Sequence, residues 1–279
     1  MARLKTPKQF LAVDWSGRVT AAGQRRHIFI ATWRAGAVTL ECGYTHEEVC
    51  ALLLAAGAQT LDLVVGLDFA FSFPAWWLRE QSCADACALW QLATKDGERW
   101  LRDGRDPFWG RPGQPRPRHH HAPRWRVFRH TDRALRAKSP FQIGGAGAVG
   151  TGSIRGMPML ARLHQAGFHL WPFQAAELPL ALEIYPRLFT GAVVKSSRDA
   201  RLAHLQQPRY ARLPSDVLAK ATASEDAFDA LCSVLGMVEH AAHLNTLTQD
   251  CHPTARLEGA IWNPARVVYR APDTSMNGQ

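Results

Sequence analysis

The feature that most constrains the fold is an apolar run at residues 61–69, with the sequence LDLVVGLDF. A strand at a surface alternates apolar and polar side chains, whereas residues 63–67 are apolar without a break. A continuous apolar strand is typical of a sheet that is covered on both faces. The run is also too short to cross a membrane. It therefore predicts a central strand in a sheet that is flanked by helices.

Three shorter strands and a helix precede this run. Residues 10–14, 27–33 and 37–42 predict an antiparallel meander, because turn signals separate them. Residues 46–58 carry apolar side chains at helical spacing, and Thr45 is a candidate N-cap. The order strand, strand, strand, helix, strand is the beginning of a mixed α/β sheet.

The second half of the chain predicts more helices than strands. The interval 103–126 is dense in Pro, Gly, Arg and His, which predicts an irregular loop. We expect one domain over residues 1–271, with an insertion at about 75–178 and a loose tail at 272–279. The other predicted elements are helices at 75–101, 157–166, 196–205, 214–221 and 224–242, and strands at 168–173 and 180–185.

Acidic residues stand on the predicted strands where core side chains are expected. Asp14 ends the first strand, Asp68 follows the run VVGL, and Glu183 lies within LALEIY. A buried carboxylate is costly unless it is paired or binds a metal ion. An arginine partner would explain any single buried carboxylate. Three carboxylates on three strands of one sheet instead favour a shared site.

Two more acids, Asp226 and Asp229, are spaced i, i+3 on one face of the helix predicted at 224–242, which Ser224 begins as a natural N-cap. Asp226 lies in the first turn, where its charge would interact favourably with the helix dipole. Asp229 is instead surrounded in the sequence by Ala, Phe and Leu. Carboxylate clusters bind hard cations such as Mg²⁺ or Mn²⁺.

Positive charge is concentrated in one segment. The chain has a net charge of +9, and residues 99–138 contain 12 Lys and Arg against three acids. Such a patch favours a polyanionic partner, of which nucleic acid is the commonest, although a solvated basic loop is the alternative. Arginine binds phosphate and aromatic rings stack on unpaired bases. The candidate nucleic-acid contacts are Arg111, Arg116, Arg118, Arg124, Trp125, Arg126, Arg129 and Lys138.

A glycine-rich stretch at residues 144–156 offers two interpretations. Its backbone N–H groups suit a phosphate cradle ahead of a helix, but it matches neither a Walker loop nor a dinucleotide fingerprint. A flexible hinge is the other interpretation. Lys138, Lys195 and Arg187 are candidates for neutralising a scissile phosphate, with ordinary surface charge as the alternative.

Five short motifs, taken in order, resemble a known family. They are VDWSG at 13–17, LDFAFSFP at 67–74, EIYPRLF at 183–189, EDAFDAL at 225–231 and EGAIW at 258–262. Their order, on strands and a late acidic helix, resembles the ribonuclease H-like superfamily. Locally they resemble the family of domains of unknown function numbered 429, which is labelled a predicted nuclease. The resemblance spans nearly the whole chain.

The resemblance implies a metal-dependent nuclease that hydrolyses phosphodiester bonds in DNA or RNA. Asp14 would bridge two Mg²⁺ or Mn²⁺ ions, and Asp68 and Asp229 would each hold one of them. Asp226 or Glu183 would complete the set. Two such ions activate a water molecule and stabilise the leaving oxygen.

Two other functions stay open. One is a nucleotide phosphohydrolase or phosphotransferase on the related actin-like fold, although a second phosphate-loop motif is missing. The other is a non-catalytic nucleic-acid-binding protein. The chain has no apolar run of membrane-spanning length and no secretory signal, so we expect a cytoplasmic protein without a membrane partner. Its sequence does not indicate an oligomeric state.

Overall fold

The structure, a computed structural model, describes residues 6–117, 126–247 and 254–265. These residues contain one six-stranded sheet in the order β3-β2-β1-β4-β6-β5. The strands are β1 (Gln9–Asp14), β2 (Phe29–Arg34), β3 (Ala37–Cys42), β4 (Leu63–Leu67), β5 (His169–Trp171) and β6 (Leu180–Glu183). The predicted α/β class, with a mixed central sheet flanked by helices, is confirmed.

The sheet is mixed because its first three strands form the predicted antiparallel meander, whereas the others run parallel to β1. The apolar strand β4 lies between β1 and β6, and every one of its residues is buried. Its register pairs Leu67 with Val13 on one side and with Glu183 on the other. The carboxyl ends of β1, β4 and β6 therefore lie side by side.

Helices cover both faces of this sheet. The helices are α1 (Ala21–His27), α2 (His46–Gln59), α3 (Ala75–Glu80), α4 (Ala86–Asp103), α5 (His130–Leu135), α6 (Val149–Gln165), α7 (Arg187–Thr190), α8 (Arg198–Leu205), α9 (Ser215–Ala223), α10 (Glu225–Glu239) and α11 (Ala255–Glu258). One core lies between the sheet and α2, α4 and α6. A second core lies on the other face, beneath α9 and α10.

Both N-caps predicted from the sequence are confirmed. The Thr45 hydroxyl accepts a hydrogen bond from the Glu48 N–H (3.3 Å), and the Glu48 carboxylate accepts one from the Thr45 N–H (2.8 Å). The Ser224 hydroxyl accepts a hydrogen bond from the Ala227 N–H at 3.3 Å. These contacts satisfy backbone donors that the first turn of a helix leaves free.

The hinge interpretation of the glycine-rich stretch is wrong for residues 149–156. Helix α6 begins at Val149, not near residue 157, and so includes Gly150, Gly152 and Gly156. A Cβ atom on Gly150 would lie 2.2 Å from the Pro140 carbonyl oxygen, and one on Gly156 would lie 2.5 Å from the Phe69 ring. The glycines allow the helix to pack closely against its neighbours.

Two other boundaries differ from the prediction. Residue His27 ends α1 and does not begin β2, because the Thr20 hydroxyl caps a short helix through the Gly23 N–H (3.1 Å). The helix predicted at 75–101 is two helices, and Asp85 caps the second through the Ala88 N–H (2.8 Å).

The segment named as an insertion, about 75–178, contains α3 to α6 and β5. Its irregular part is confirmed for residues 104–117, which form no helix or extended strand. The tail predicted at 272–279 lies outside the described residues. In the part of the chain that the structure describes, no helix is long and apolar enough to cross a membrane.

Candidate active site

Asp14 and Asp68 are neighbours at the carboxyl ends of β1 and β4. Val13 pairs with Leu67 in the parallel ladder; Asp14 follows Val13 as the last residue of β1, and Asp68 directly follows the last residue of β4. The Asp68 N–H donates a hydrogen bond to the Val13 carbonyl oxygen at 3.1 Å. Desolvation, with the charge of Asp68 next, raises the pKa of Asp14 well above its usual value. The two carboxyl groups therefore share one electrostatic environment.

The alternation of side chains along a strand directs Asp14 and Asp68 toward α10. Asp14 follows Ala12 by two residues, and Ala12 belongs to the core beneath α10. Asp68 follows Gly66 by two residues, and a Cβ atom on Gly66 would lie 2.6 Å from Met237 Sδ of α10. Both carboxylates thus point to the helix that carries Asp229.

Asp229 lies within the second turn of α10, which packs against β1 and β2. The residue is 2% exposed. Its Oδ2 forms an ion pair with Lys195 Nζ, and its Oδ1 is buried without a hydrogen-bond partner. Desolvation raises the pKa of Asp229, although Lys195 opposes the shift. Desolvation also raises the pKa of Asp68 to about 8, with the charge of Asp229 as the next cause.

Asp226 has a different partner from Asp229. Its Oδ2 lies 2.9 Å from His27 Nδ1, at the end of α1, and both side chains are about one-third exposed. Its charge contributes to the raised pKa of Asp14 and Asp68. Asp226 therefore lies at the rim of the cluster, while Asp14, Asp68 and Asp229 form its centre. We call these three residues the aspartate cluster.

Glu183 lies on the opposite face of the sheet from the aspartate cluster. It follows Ala181 by two residues, and Ala181 belongs to the core beneath α2, α4 and α6. Both of its carboxylate oxygens accept hydrogen bonds from Arg129, at 2.6 and 2.8 Å. Arg129 also binds Asp132 at 2.7 Å, and the three side chains are buried. Glu183 is thus held in a buried ion-pair triad.

The same triad corrects one predicted nucleic-acid contact. Arg129 is 1% exposed and its guanidinium is engaged by Glu183 and Asp132, so it does not present a surface charge. Arg126 and Lys138 are exposed, and the Arg116 guanidinium lies 4.7 Å from the centre of the Phe128 ring. Arg111 is half-buried and donates to the Arg102 carbonyl oxygen at 2.9 Å. The other predicted contacts, Arg118, Arg124 and Trp125, lie outside the described residues.

A pocket of about 360 Å³ opens beside the aspartate cluster. Asp68, Lys195, Lys138 and residues 147–149 line it, and so does the buried triad of Glu183, Arg129 and Asp132. The first turn of α6 thus faces the same space as one of the clustered acids. This arrangement brings carboxylates, ammonium groups and a glycine-rich helix start together around one opening.

The loop after β1 is held against the start of α6 by close backbone contact. A Cβ atom on Gly17 would lie 2.6 Å from the Gly152 nitrogen, so only glycine fits there without displacement. The Trp15 indole N–H donates to the Gly152 carbonyl oxygen at 3.0 Å, and Arg155 donates to the Gly17 carbonyl oxygen. The loop that follows Asp14 therefore has one fixed position relative to the pocket.

The donor chemistry of the aspartate cluster fits a hard divalent cation. Carboxylate oxygens are the ligands that Mg²⁺ and Mn²⁺ prefer, and the buried Asp229 Oδ1 has no other partner. The side chains as they stand, with Lys195 against Asp229, are not yet a complete ligand set. Within the described ranges, no group of three or more His, Cys, Asp or Glu side chains is arranged to hold a metal ion.

Sequence reasoning missed two partners of the candidate residues. The pair of Arg129 and Asp132 could be predicted from the sequence, because the two residues are spaced i, i+3. The contact of His27 with Asp226 could not be predicted from the sequence, because the two residues are 199 positions apart and no local pattern relates them. Lys195 was considered only for a substrate phosphate, and the structure pairs it with Asp229.

Comparison with known proteins adds no further constraint. No family model, curated protein or solved structure matches this chain. What the protein does is therefore inferred from its own residues and their arrangement.

Proposed function

We propose that the protein is a divalent-metal-dependent nuclease that hydrolyses phosphodiester bonds in nucleic acid. The observation that carries this proposal is the aspartate cluster, in which Asp14, Asp68 and Asp229 come together from two strands and a helix. Carboxylates that raise one another's pKa in a desolvated site favour a cation between them. Glu183 is held on both carboxylate oxygens by Arg129, whereas Lys195 engages only one oxygen of Asp229 and leaves the buried Oδ1 without a partner.

The sheet supports the ribonuclease H-like part of the proposal. An antiparallel meander is followed by α2, and β4 then returns parallel to β1 at the centre of the sheet. Asp14 ends the first strand of this arrangement, and Asp229 lies on a late helix over the same strand. The same order of strands and acids underlies the resemblance to the ribonuclease H-like superfamily.

Each group at the site has a role in such a reaction. Asp14, Asp68 and Asp229 would hold a Mg²⁺ or Mn²⁺ ion through their oxygens. Such an ion would supply polarisation of the phosphodiester and a lowered pKa for an attacking water molecule. Lys138 and Lys195, which line the pocket, orient the scissile phosphate and offset its charge. The loop at Gly17, fixed against α6, limits the space that a substrate backbone can enter.

Nucleic acid is the proposed substrate because the exposed charge near the pocket is basic. Lys138 is exposed and lines the pocket, and the segment 99–138, which includes exposed Arg126, carries a net charge equal to the +9 of the whole chain. Phosphate contacts by such side chains provide affinity without requiring a particular base sequence.

The proposal is tested with purified protein, labelled single-stranded and double-stranded DNA and RNA, and added Mg²⁺ or Mn²⁺. We expect cleavage by the unaltered protein and its loss, by about 10²-fold or more, in Asp14→Asn. Asp62→Asn is the matched control, because Asp62 is also a buried aspartate but lies at the opposite end of β4. Circular dichroism checks that both variants fold. Equal cleavage by Asp14→Asn and the unaltered protein would contradict the proposal.

The pocket itself favours a second candidate, a nucleotide phosphohydrolase or phosphotransferase. Its volume of about 360 Å³ falls in the range of small-molecule sites, and residues 147–149 at the start of α6 line it. Thermal stabilisation by ATP, together with ATP turnover and no cleavage of DNA or RNA, would favour this alternative.

A further inference from the structure

Lys195 holds the position at the aspartate cluster that a bound cation would hold. Its ammonium forms an ion pair with Asp229 Oδ2 and lies close enough to Asp14 and Asp68 to interact with both charges. Of the other cationic side chains that line the pocket, Arg129 is engaged by Glu183, and Lys138 forms no ion pair with Asp229. Lys195 is thus the cation that contacts the cluster directly, within the residues that the structure describes.

The backbone of Lys195 is held in place by Arg201, while its side chain is partly exposed. Buried Arg201 donates to the Lys195 carbonyl oxygen, and it donates twice to the Thr222 carbonyl oxygen, at 2.9 and 3.0 Å. The Lys195 side chain is 47% exposed and also lines the pocket. Its ammonium can therefore leave Asp229 and enter the pocket without uncovering the core.

Lys195 engages only one of the two carboxylate oxygens of Asp229. Asp229 Oδ1 is buried and has no hydrogen-bond partner, while Oδ2 is taken by the ammonium. A divalent cation brings twice the charge to the same oxygens and can bind several carboxylates at once. A divalent cation at this carboxylate would repel the ammonium on Oδ2, so the two cations compete for Asp229.

We propose that Lys195 is an internal competitor of the divalent cation, which it releases from Asp229 into the pocket when that cation binds. There the ammonium faces the phosphate of the substrate, so that occupation of the metal site also completes the anion-binding side of the pocket. This inference rests on the proposed function, because it requires that the aspartate cluster binds a divalent cation.

The test is calorimetric titration of the purified protein with Mn²⁺ in the absence of nucleic acid. We expect Lys195→Met to bind Mn²⁺ at least about tenfold more tightly than the unaltered protein, because the competing ammonium is gone. Lys195→Arg keeps a competing cation and should bind Mn²⁺ about as the unaltered protein does.

Lys138→Met is the matched control, since it removes the same charge from the same pocket. Lys138 lines the pocket without an ion pair to Asp229, so its variant should change Mn²⁺ affinity much less. An equal gain in Lys195→Met and Lys138→Met would show a general effect of charge and overturn the inference. An affinity of Lys195→Met equal to that of the unaltered protein would also overturn it, while leaving the proposed function in place. Absence of Mn²⁺ binding in all of these proteins would overturn both proposals.

A measurement on the unaltered protein covers the case in which Lys195→Met does not fold. Reductive methylation with formaldehyde, followed by peptide mass spectrometry, reports how accessible each lysine amine is. We expect Mg²⁺ to increase the labelling of Lys195 and to leave Lys220, which pairs with Asp216 outside the site, unchanged. Labelling of Lys195 that does not respond to Mg²⁺ would contradict its release.

Discussion

The carboxyl group of Asp68 is more stable protonated than ionised near neutral pH, because desolvation raises its pKa to about 8. In the unfolded chain the same group ionises near its ordinary pKa of about 3.9. Between these values the folded state holds a proton that the unfolded state has lost. The free energy of unfolding is therefore expected to fall as the pH rises through this window when EDTA is present.

Asp68→Asn should reduce this dependence on pH, although Asp14 and Asp229, whose pKa values are also raised, still contribute to it. We expect the variant to gain at least about 1.4 kcal/mol relative to the unaltered protein between about pH 5 and about pH 8, which corresponds to one pKa unit. Urea unfolding at both pH values measures the difference. Parallel pH profiles of the two proteins would show that Asp68 ionises normally in the folded state.

Glu183 contributes to stability through its ion pair with Arg129. Both side chains are buried, and Glu183→Gln weakens the hydrogen bonds that Arg129 donates to Glu183 while leaving the Arg129–Asp132 pair in place. Glu183→Gln is expected to lower the free energy of unfolding by about 1–3 kcal/mol. The exposed pair Arg162 and Glu47 provides the control, and Glu47→Gln should cost less than about 1 kcal/mol. Similar effects of the two substitutions in urea unfolding would contradict this assignment.

The strand pattern of the sequence correctly placed Asp14 and Asp68 next to each other, but it did not predict the position of Glu183. Asp14 and Asp68 were identified because each directly follows an apolar strand, and parallel strands bring their carboxyl ends together. Glu183 has the same appearance in the sequence, but its face depends on the register of β6. A shift of one residue moves a side chain to the other face of a sheet, and the apolar pattern of LALE does not fix that register.

At the scale of elements, the contact between the β1–α1 loop and the start of α6 sets the shape of the site. Gly17→Ala would place a methyl group 2.6 Å from the Gly152 nitrogen, and neither backbone can yield without moving the loop. We expect a loss of about 1–3 kcal/mol in unfolding free energy, together with weaker cleavage.

Gly152→Ala tests the same contact from its other side. A Cβ atom on Gly152 would lie 3.5 Å from the Trp15 ring, which is ordinary van der Waals contact. Alanine is also favoured over glycine within a helix by roughly 0.5–1 kcal/mol. We therefore expect this variant to be at least as stable as the unaltered protein. Equal destabilisation by Gly17→Ala and Gly152→Ala in thermal unfolding would contradict the close approach.

The glycines of α6 also explain why the sequence predicts the first residue of this helix at about 157 although the helix begins at Val149. Glycine within a helix is unfavourable in isolation, so the stretch 149–156 has the composition of a loop. In the folded protein, Gly150 lets the helix approach the Pro140 carbonyl oxygen, and Gly156 makes room for the Phe69 ring. Such packing against distant residues outweighs local propensity, and a single sequence does not reveal it. The predictions for α2 and α10 succeeded because their caps and apolar spacing are local.

For the whole molecule, the distribution of charge relates the basic segment to the acidic site. Exposed Arg126 and Lys138 belong to the segment 99–138, and Lys138 reaches the pocket that Asp68 lines. Under the proposed function, a polyanion attracted to this segment would be brought to the side of the sheet where β1 and β4 end. The aspartate cluster would then need a bound cation before a phosphate could approach it.

Salt dependence provides the test of this arrangement. Binding of a short DNA or RNA by the unaltered protein is expected to weaken with added salt, because phosphate contacts release condensed counterions. The double variant Arg126→Ala, Lys138→Ala should reduce the slope of log K against log salt by about 1 for each phosphate contact that is lost. Fluorescence anisotropy in Ca²⁺ or EDTA measures binding without cleavage.

The control for this experiment lies at the opposite end of the sheet. Arg34 is exposed and pairs with Gln9 at the start of β1, whereas Asp14 ends the same strand. Arg34→Ala removes one positive charge from the protein but none from the segment 99–138. If the slope of log K against log salt depended only on net charge, Arg34→Ala would lower that slope. The reduction for each positive charge removed would then be the same as in the double variant. A nucleic acid that approaches the ends of β1 and β4 should instead leave the slope of Arg34→Ala close to that of the unaltered protein.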